Sequence, residues 1–209
     1  MNPIFEKLAQ MRIVPVIVIN DVSKAVPLAK ALCDGGLPCA EVTFRTAGAA
    51  DAIRAMTEAF PEMLVGAGTI LTPAQADEAI AAGAKFLVSP GLNPDVVRHV
   101  QSKGVPMLPG ICTPSELEQG LALGLEMLKF FPAEAAGGVN MLKALSAPYG
   151  TMKFMPTGGL TPSNVNDYLS IKNVMACGGS WMVKDELIAA GDFAKITELT
   201  KEAMALAKK

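Results

Sequence analysis

Met127-Leu128-Lys129-Phe130-Phe131-Pro132 is one of eight short apolar runs that recur every twenty to twenty-six residues along the chain. The others are Val14–Ile19, Cys39–Phe44, Met63–Thr69, Phe86–Pro90, Pro106–Ile111, Lys153–Gly159 and Val174–Ser180. A run of about six residues, rich in aromatics and closed by proline, reads as a strand rather than a helix. Segments rich in Ala, Leu, Glu and Lys separate the runs. Several open on a polar cap followed by proline, at Thr72-Pro73, Asn93-Pro94, Thr113-Pro114 and Thr161-Pro162. The polar residue suits the N-cap and the proline the first helical position. Glycines at Gly35-Gly36, Gly83, Gly104 and Gly124 stand where helices should end in a left-handed turn.

Eight alternating β-α units with parallel strands fit an α/β protein of the closed (β/α)8 TIM-barrel class. A short N-terminal helix over Pro3–Gln10 would close its floor. The competing doubly wound open sheet calls for a glycine-rich loop after its first strand. Ile17-Val18-Ile19-Asn20-Asp21 has no glycine. No linker or low-complexity tract interrupts the pattern, so residues 1–209 read as one barrel domain.

With 209 residues, 51% hydrophobic and a net charge of -2, the chain can bury a substantial core. That charge balance offers no footprint for nucleic acid or an acidic membrane surface. No apolar run is long enough to span a bilayer, and the start shows no signal peptide. Cys33, Cys39, Cys112 and Cys177 are scattered, which reads as buried reduced thiols of a cytoplasmic protein. His99 is the single histidine, in what reads as a surface helix. Zinc aldolases and hydrolases usually recruit two or three; a carboxylate-bound magnesium site stays open.

Lys129 stands out against this background. A lysine in a buried strand must desolvate its ammonium, which favours the neutral amine. A neutral amine attacks carbonyls to form Schiff bases. Alternatively its stem packs while its head snorkels or meets a carboxylate, and the stretch alone leaves both readings open.

In a barrel, reactive groups lie at the C-terminal strand ends, and strand residues two apart share a face. Glu41, Thr43 and Arg45 therefore point one way on the second strand. Glu41 and Arg45 could simply pair as a structural bridge. The third strand ends by delivering Thr69 among small residues. If these faces turn inward, Lys129, Glu41, Arg45 and Thr69 converge. Arg45 can then bind a carboxylate through its planar fork, and Glu41 can move protons. Phe131 and Pro90 can enclose the methyl end of a small keto acid. The last two runs end in Thr157-Gly158-Gly159 and Gly178-Gly179-Ser180. Glycine pairs after strands seven and eight suit a phosphate, because backbone N–H groups can approach it closely.

These residues carry a family resemblance. Glu41-Val42-Thr43-Phe44-Arg45-Thr46, Val65-Gly66-Ala67-Gly68-Thr69, Val88-Ser89-Pro90-Gly91, Lys129-Phe130-Phe131-Pro132-Ala133-Glu134 and Pro156-Thr157-Gly158-Gly159 occur in register. In them the chain resembles the 2-keto-3-deoxy-6-phosphogluconate (KDPG) and 4-hydroxy-2-oxoglutarate (KHG) aldolase family. The resemblance implies a class I aldolase that reversibly cleaves 2-dehydro-3-deoxy-6-phosphogluconate to pyruvate and D-glyceraldehyde 3-phosphate, and also 4-hydroxy-2-oxoglutarate to pyruvate and glyoxylate. It implies that Lys129 is the Schiff-base lysine and Glu41 the proton-transfer residue. Arg45 and Thr69 would bind the pyruvate carboxylate, with Pro90 and Phe131 lining the pocket. Thr157, Gly158, Gly159, Gly179 and Ser180 would surround the phosphate of a keto-acid sugar phosphate. No cofactor or metal is implied, and a cytoplasmic homotrimer is. Phe44 stands where a smaller aliphatic residue is expected, and Ala136 where asparagine is.

Two rivals accompany this reading. The substrate could be a galactonate isomer or an unphosphorylated keto-deoxy acid. A non-catalytic barrel that binds sugar phosphates would leave Lys129 and Glu41 unexplained.

Overall fold

Every strand ladder in this chain is parallel. The computed structural model describes residues 1–207. After helix α1 (Pro3–Met11) come β1 (Ile13–Ile17), α2 (Ala25–Asp34), β2 (Cys39–Thr43), α3 (Ala49–Ala59) and β3 (Leu64–Gly68). Then follow α4 (Pro73–Ala81), β4 (Leu87–Val88), α5 (Pro94–Ser102), β5 (Met107–Leu108), β6 (Gly110–Ile111) and α6 (Pro114–Ala122). The chain continues through β7 (Met127–Phe130), α7 (Gly138–Ser146), β8 (Lys153–Pro156), α8 (Val165–Leu169) and β9 (Cys177–Gly179). It closes with α9 (Asp185–Ala190) and α10 (Phe193–Ala207).

One sheet has the order β5-β4-β3-β2-β1-β9 and the other β6-β7-β8. Neighbours follow chain order without the mid-sheet reversal of a doubly wound fold, and the first and last strands lie side by side. Isolated parallel bridges, Phe154 with Val174 and Thr157 with Gly178, run from the second sheet toward β9. All residues of β2, β3 and β7 are buried, as expected where helices cover a parallel sheet and its other face is packed too.

The expected fifth strand, Pro106–Ile111, is two strands. Proline has no N–H to give to a ladder, and Pro109 separates β5, paired with β4, from β6, paired with β7. The Pro109 carbonyl still accepts from the Lys129 N–H at 3.0 Å. That stretch joins the two sheets.

Three of the four expected caps form. Thr72, Asn93 and Thr113 accept backbone N–H bonds at the starts of α4, α5 and α6, and Thr113 forms a full capping box with Glu116. Thr161 does not cap. Its own N–H donates to Asn164 Oδ1 at 2.8 Å, so a turn intervenes and α8 begins at Val165. Gly36, Gly83, Gly104 and Gly124 all take the left-handed conformation after their helices. The four thiols are free; Cys39 and Cys177 are buried, whereas Cys33 and Cys112 are half-buried. Burial pushes the Cys39 and Cys177 thiols far above the usual thiol range. Among the described residues, no helix is long and apolar enough to cross a membrane.

Candidate active site

Register places Lys129 in β7 opposite Gly110 on one side and Met155 on the other. Its side chain is 7% exposed, and its Nζ lies 3.4 Å from Oε1 of Glu41, which is fully buried. The amine also sits 5.0 Å from the centre of the Phe131 ring. The snorkelling alternative is thereby removed, since the head of this lysine stays inside. Glu41 reaches it from β2. The pairing of Glu41 with Arg45 that the sequence left open is not the one formed.

Oε2 of Glu41 is buried with no hydrogen-bond partner among the described residues. A buried carboxylate oxygen left unpaired is costly in a purely structural role. It suits a group that exchanges protons with a ligand. Room for this carboxylate comes from Gly68 at the end of β3, where a Cβ would overlap Glu41 Oε1. We therefore expect Gly68→Ala to displace Glu41 and lower turnover by roughly tenfold to a hundredfold, given how steeply such chemistry depends on placement. Steady-state rates beside an unchanged circular dichroism spectrum would check this.

Arg45 does not continue the strand as expected. β2 ends at Thr43, whose hydroxyl donates to the Ile17 carbonyl at 2.9 Å, and the chain then turns. Arg45 is exposed in that turn. Its Nε donates to Thr69 Oγ1 at 3.4 Å, so the two residues expected to bind a carboxylate do meet. Thr69 has φ 60, a left-handed conformation that costs a β-branched residue about 1–3 kcal/mol. Pro90 reaches the same region from beyond β4, its carbonyl pressed so close to Gly110 that no Cβ would fit there.

Beside this cluster lies a cavity of about 290 Å³. Arg45, Phe131 and Thr157 line it, together with Gly158, Gly159, Gly179 and Ser180. All eleven residues singled out in the sequence thus fall in one connected region. The Thr157 hydroxyl is buried and unpartnered among the described residues. Gly158 and Gly159 have φ 104 and 79, which glycine adopts freely. Their carbonyls are engaged, Gly158 by the Glu134 N–H at 3.1 Å and Gly159 by the Asn164 side chain at 3.2 Å. Neither glycine N–H donates to an acceptor among the described residues. Successive N–H groups held this way make a concave anion site. Gly179 is flat because the Trp181 ring lies over it.

Four lining residues were not foreseen: Val16, Val18, Leu160 and Asp185. Val16 and Val18 lie two apart, so alternation could have found them once their face was known. Gly178 is required because a Cβ there would collide with the Thr157 hydroxyl. Nothing in the sequence marks Asp185.

A model of the KDPG and KHG aldolase family matches residues 4–199. The chain belongs to this family. A 2-dehydro-3-deoxy-phosphogluconate aldolase from Treponema pallidum is 50% identical over 204 residues, covering 98% of this chain and 97% of that one. Among solved structures, a KDPG aldolase from Legionella pneumophila, with pyruvate captured at low pH as a covalent carbinolamine intermediate, superposes with a TM-score of 0.92 at 43% identity. It covers 98% of this chain and 97% of its own. The 2-keto-3-deoxy-6-phosphogluconate aldolase of Zymomonas mobilis ZM4, with 3-phosphoglycerate, gives a TM-score of 0.90 at 42% identity, covering 97% of this chain and 95% of that one. The likeness to the KDPG and KHG aldolase family therefore runs the length of the chain.

Proposed function

We propose that this chain is a class I aldolase, a lyase that reversibly cleaves 2-dehydro-3-deoxy-6-phosphogluconate to pyruvate and D-glyceraldehyde 3-phosphate through a Schiff base on Lys129. By the same route it splits 4-hydroxy-2-oxoglutarate to pyruvate and glyoxylate. The observation that carries the reading is the buried Lys129 amine 3.4 Å from Glu41, a carboxylate with one oxygen unpartnered.

The chemistry follows from those two groups. The neutral amine adds to the C2 carbonyl carbon, giving a carbinolamine. Glu41 delivers a proton to the departing hydroxyl, and water leaves behind an iminium. The Glu41 carboxylate then takes the C4 hydroxyl proton. The C3–C4 bond breaks, its electrons pass into the iminium as an enamine, and the aldehyde leaves. Protonation at C3 and hydrolysis release pyruvate and restore the amine. The iminium serves as electron sink, so this route assigns no work to a metal or cofactor. Arg45 and Thr69 hold the keto-acid carboxylate, Pro90 and Phe131 enclose its methyl end, and Thr157, Gly158, Gly159, Gly179 and Ser180 take the phosphate.

The proposal extends to one closed (β/α)8 barrel over residues 1–209, of which 208–209 lie outside the described residues. Its support is the adjacency of β1 and β9, the junction through Pro106–Ile111 and the Thr157–Gly178 bridge. The reading also takes the protein as a cytoplasmic homotrimer; exposed Val26, Leu71 and Leu121 offer apolar contact area, and sedimentation velocity would count the subunits.

A coupled assay for pyruvate release tests the function, run on the phosphorylated substrate and on its unphosphorylated counterpart, each with and without EDTA. We expect EDTA to change nothing, and loss of the phosphate to lower kcat/KM by at least about a hundredfold because remote binding supports turnover as well as affinity. Inactivation by EDTA would overturn the class I route. Equal kcat/KM would overturn the phosphate assignment.

A further inference from the structure

Glu134 and Tyr168 take no part in the chemistry above, yet they meet at its edge. Tyr168, in α8, is one of the largest fully buried side chains, and its hydroxyl donates to Glu134 Oε1. Glu134 belongs to the segment that leaves β7 just after Lys129 and Phe131, and it is otherwise exposed. A buried hydroxyl holding an exposed carboxylate is not needed to fill a core.

The surroundings indicate what the pair holds. The ladder between β7 and β8 continues beyond both strands. Ala133 N–H donates to the Thr157 carbonyl at 2.8 Å, and Glu134 N–H donates to that of Gly158 at 3.1 Å. The Glu134 stem lies directly on Gly159, where a Cβ would come within 2.8 Å of Glu134 Cβ. Gly138, at the start of α7, takes φ 62 with a notional Cβ 3.4 Å from both Glu134 Oε1 and the Tyr168 hydroxyl. The two-glycine loop is therefore gripped between the segment leaving the lysine strand and the helix that follows the loop.

We propose that the Glu134–Tyr168 pair is a strut that positions the Gly158–Gly159 N–H groups relative to the Lys129 strand, setting how well a phosphorylated substrate is held without touching it. The proposal rests on the aldolase reading and deepens it. Both partners are positioning residues. Without their bond, the loop is tied to the lysine side by backbone hydrogen bonds, from Ala133, Glu134 and Thr157, with no side-chain hydrogen bond bracing Glu134, and the distance from reacting carbon to phosphate site is less well defined. Substrates lacking the phosphate do not sense that distance.

The test compares wild type, Tyr168→Phe, Glu134→Ala and Glu134→Gln on 2-dehydro-3-deoxy-6-phosphogluconate and on its unphosphorylated counterpart. Borohydride trapping with pyruvate is run on every protein. Tyr168→Phe keeps the buried ring, and Glu134 is exposed, so one variant at least tests the bond without disturbing the core. We expect Tyr168→Phe and Glu134→Ala each to raise KM for the phosphorylated substrate by roughly tenfold, the order expected for one hydrogen bond to a charged group. kcat, kcat/KM for the unphosphorylated substrate and pyruvate trapping should stay near wild type. Glu134→Gln, whose amide oxygen still accepts from the tyrosine, should restore KM. Unchanged KM, parallel losses on both substrates, or a Gln variant as poor as Ala would each overturn the strut. Failure of the wild type to trap pyruvate would overturn the aldolase reading and the strut with it, whereas trapping with no KM effect sinks the strut alone.

Discussion

Lys129→Ala is expected to lower turnover by on the order of 10⁴-fold or more, because removing the nucleophile removes the whole covalent route and leaves only binding. This variant also has a stability consequence that must be separated from the chemistry. Glu41 is fully buried and its partner is Lys129, 3.4 Å away. Taking away one member of a buried ionisable pair costs about 3–5 kcal/mol, since the other is left buried without its partner. Against a domain stability of about 5–15 kcal/mol the chain should stay folded but unfold at lower denaturant. Lys129→Ala/Glu41→Gln should recover most of that stability while recovering no activity. Recovery of neither would place the lysine in the core as a packing residue. Urea unfolding of both proteins beside the pyruvate-release assay makes the distinction.

Glu41→Gln carries the second large effect. Glutamine keeps the shape that fits over Gly68, so packing is preserved while proton transfer is lost. General acid–base groups are worth about 10²–10⁴-fold, and we expect a fall in turnover of that size. Pyruvate should still be captured by Lys129, only more slowly, because addition to the carbonyl needs the amine before it needs the acid. Single-turnover trapping set beside steady-state turnover would show the split. Wild-type turnover in this variant would return Glu41 to a structural partner of the lysine.

Much of this arrangement was legible beforehand, for physical reasons that differ by residue. The strand runs could be read because parallel strands covered on both sides must be apolar along their length, and a charge inside one, such as Lys129 or Glu41, is then conspicuous. Caps at Thr72, Asn93 and Thr113 were readable because their chemistry is local. Thr161 failed for the same reason: Asn164 competes for the same turn, and local pattern cannot choose between two caps three residues apart. Strand ends were less legible. Alternation placed Arg45 on the Glu41 face, whereas the chain has already turned, and Arg45 reaches Thr69 from outside the strand. The left-handed Thr69 has no sequence signal, since the conformation is imposed by its surroundings. Val16 and Asp185 become neighbours of the glycine loops only through the pairing of β1 with β9, a contact between opposite ends of the chain.

The most direct measurement is borohydride reduction of the protein in the presence of pyruvate, followed by mass spectrometry of its peptides. The account predicts one reduced pyruvate per chain, on the peptide containing Lys129, and none in Lys129→Ala. A wild-type Lys129 peptide that emerges unmodified, or label on a different lysine, would contradict it.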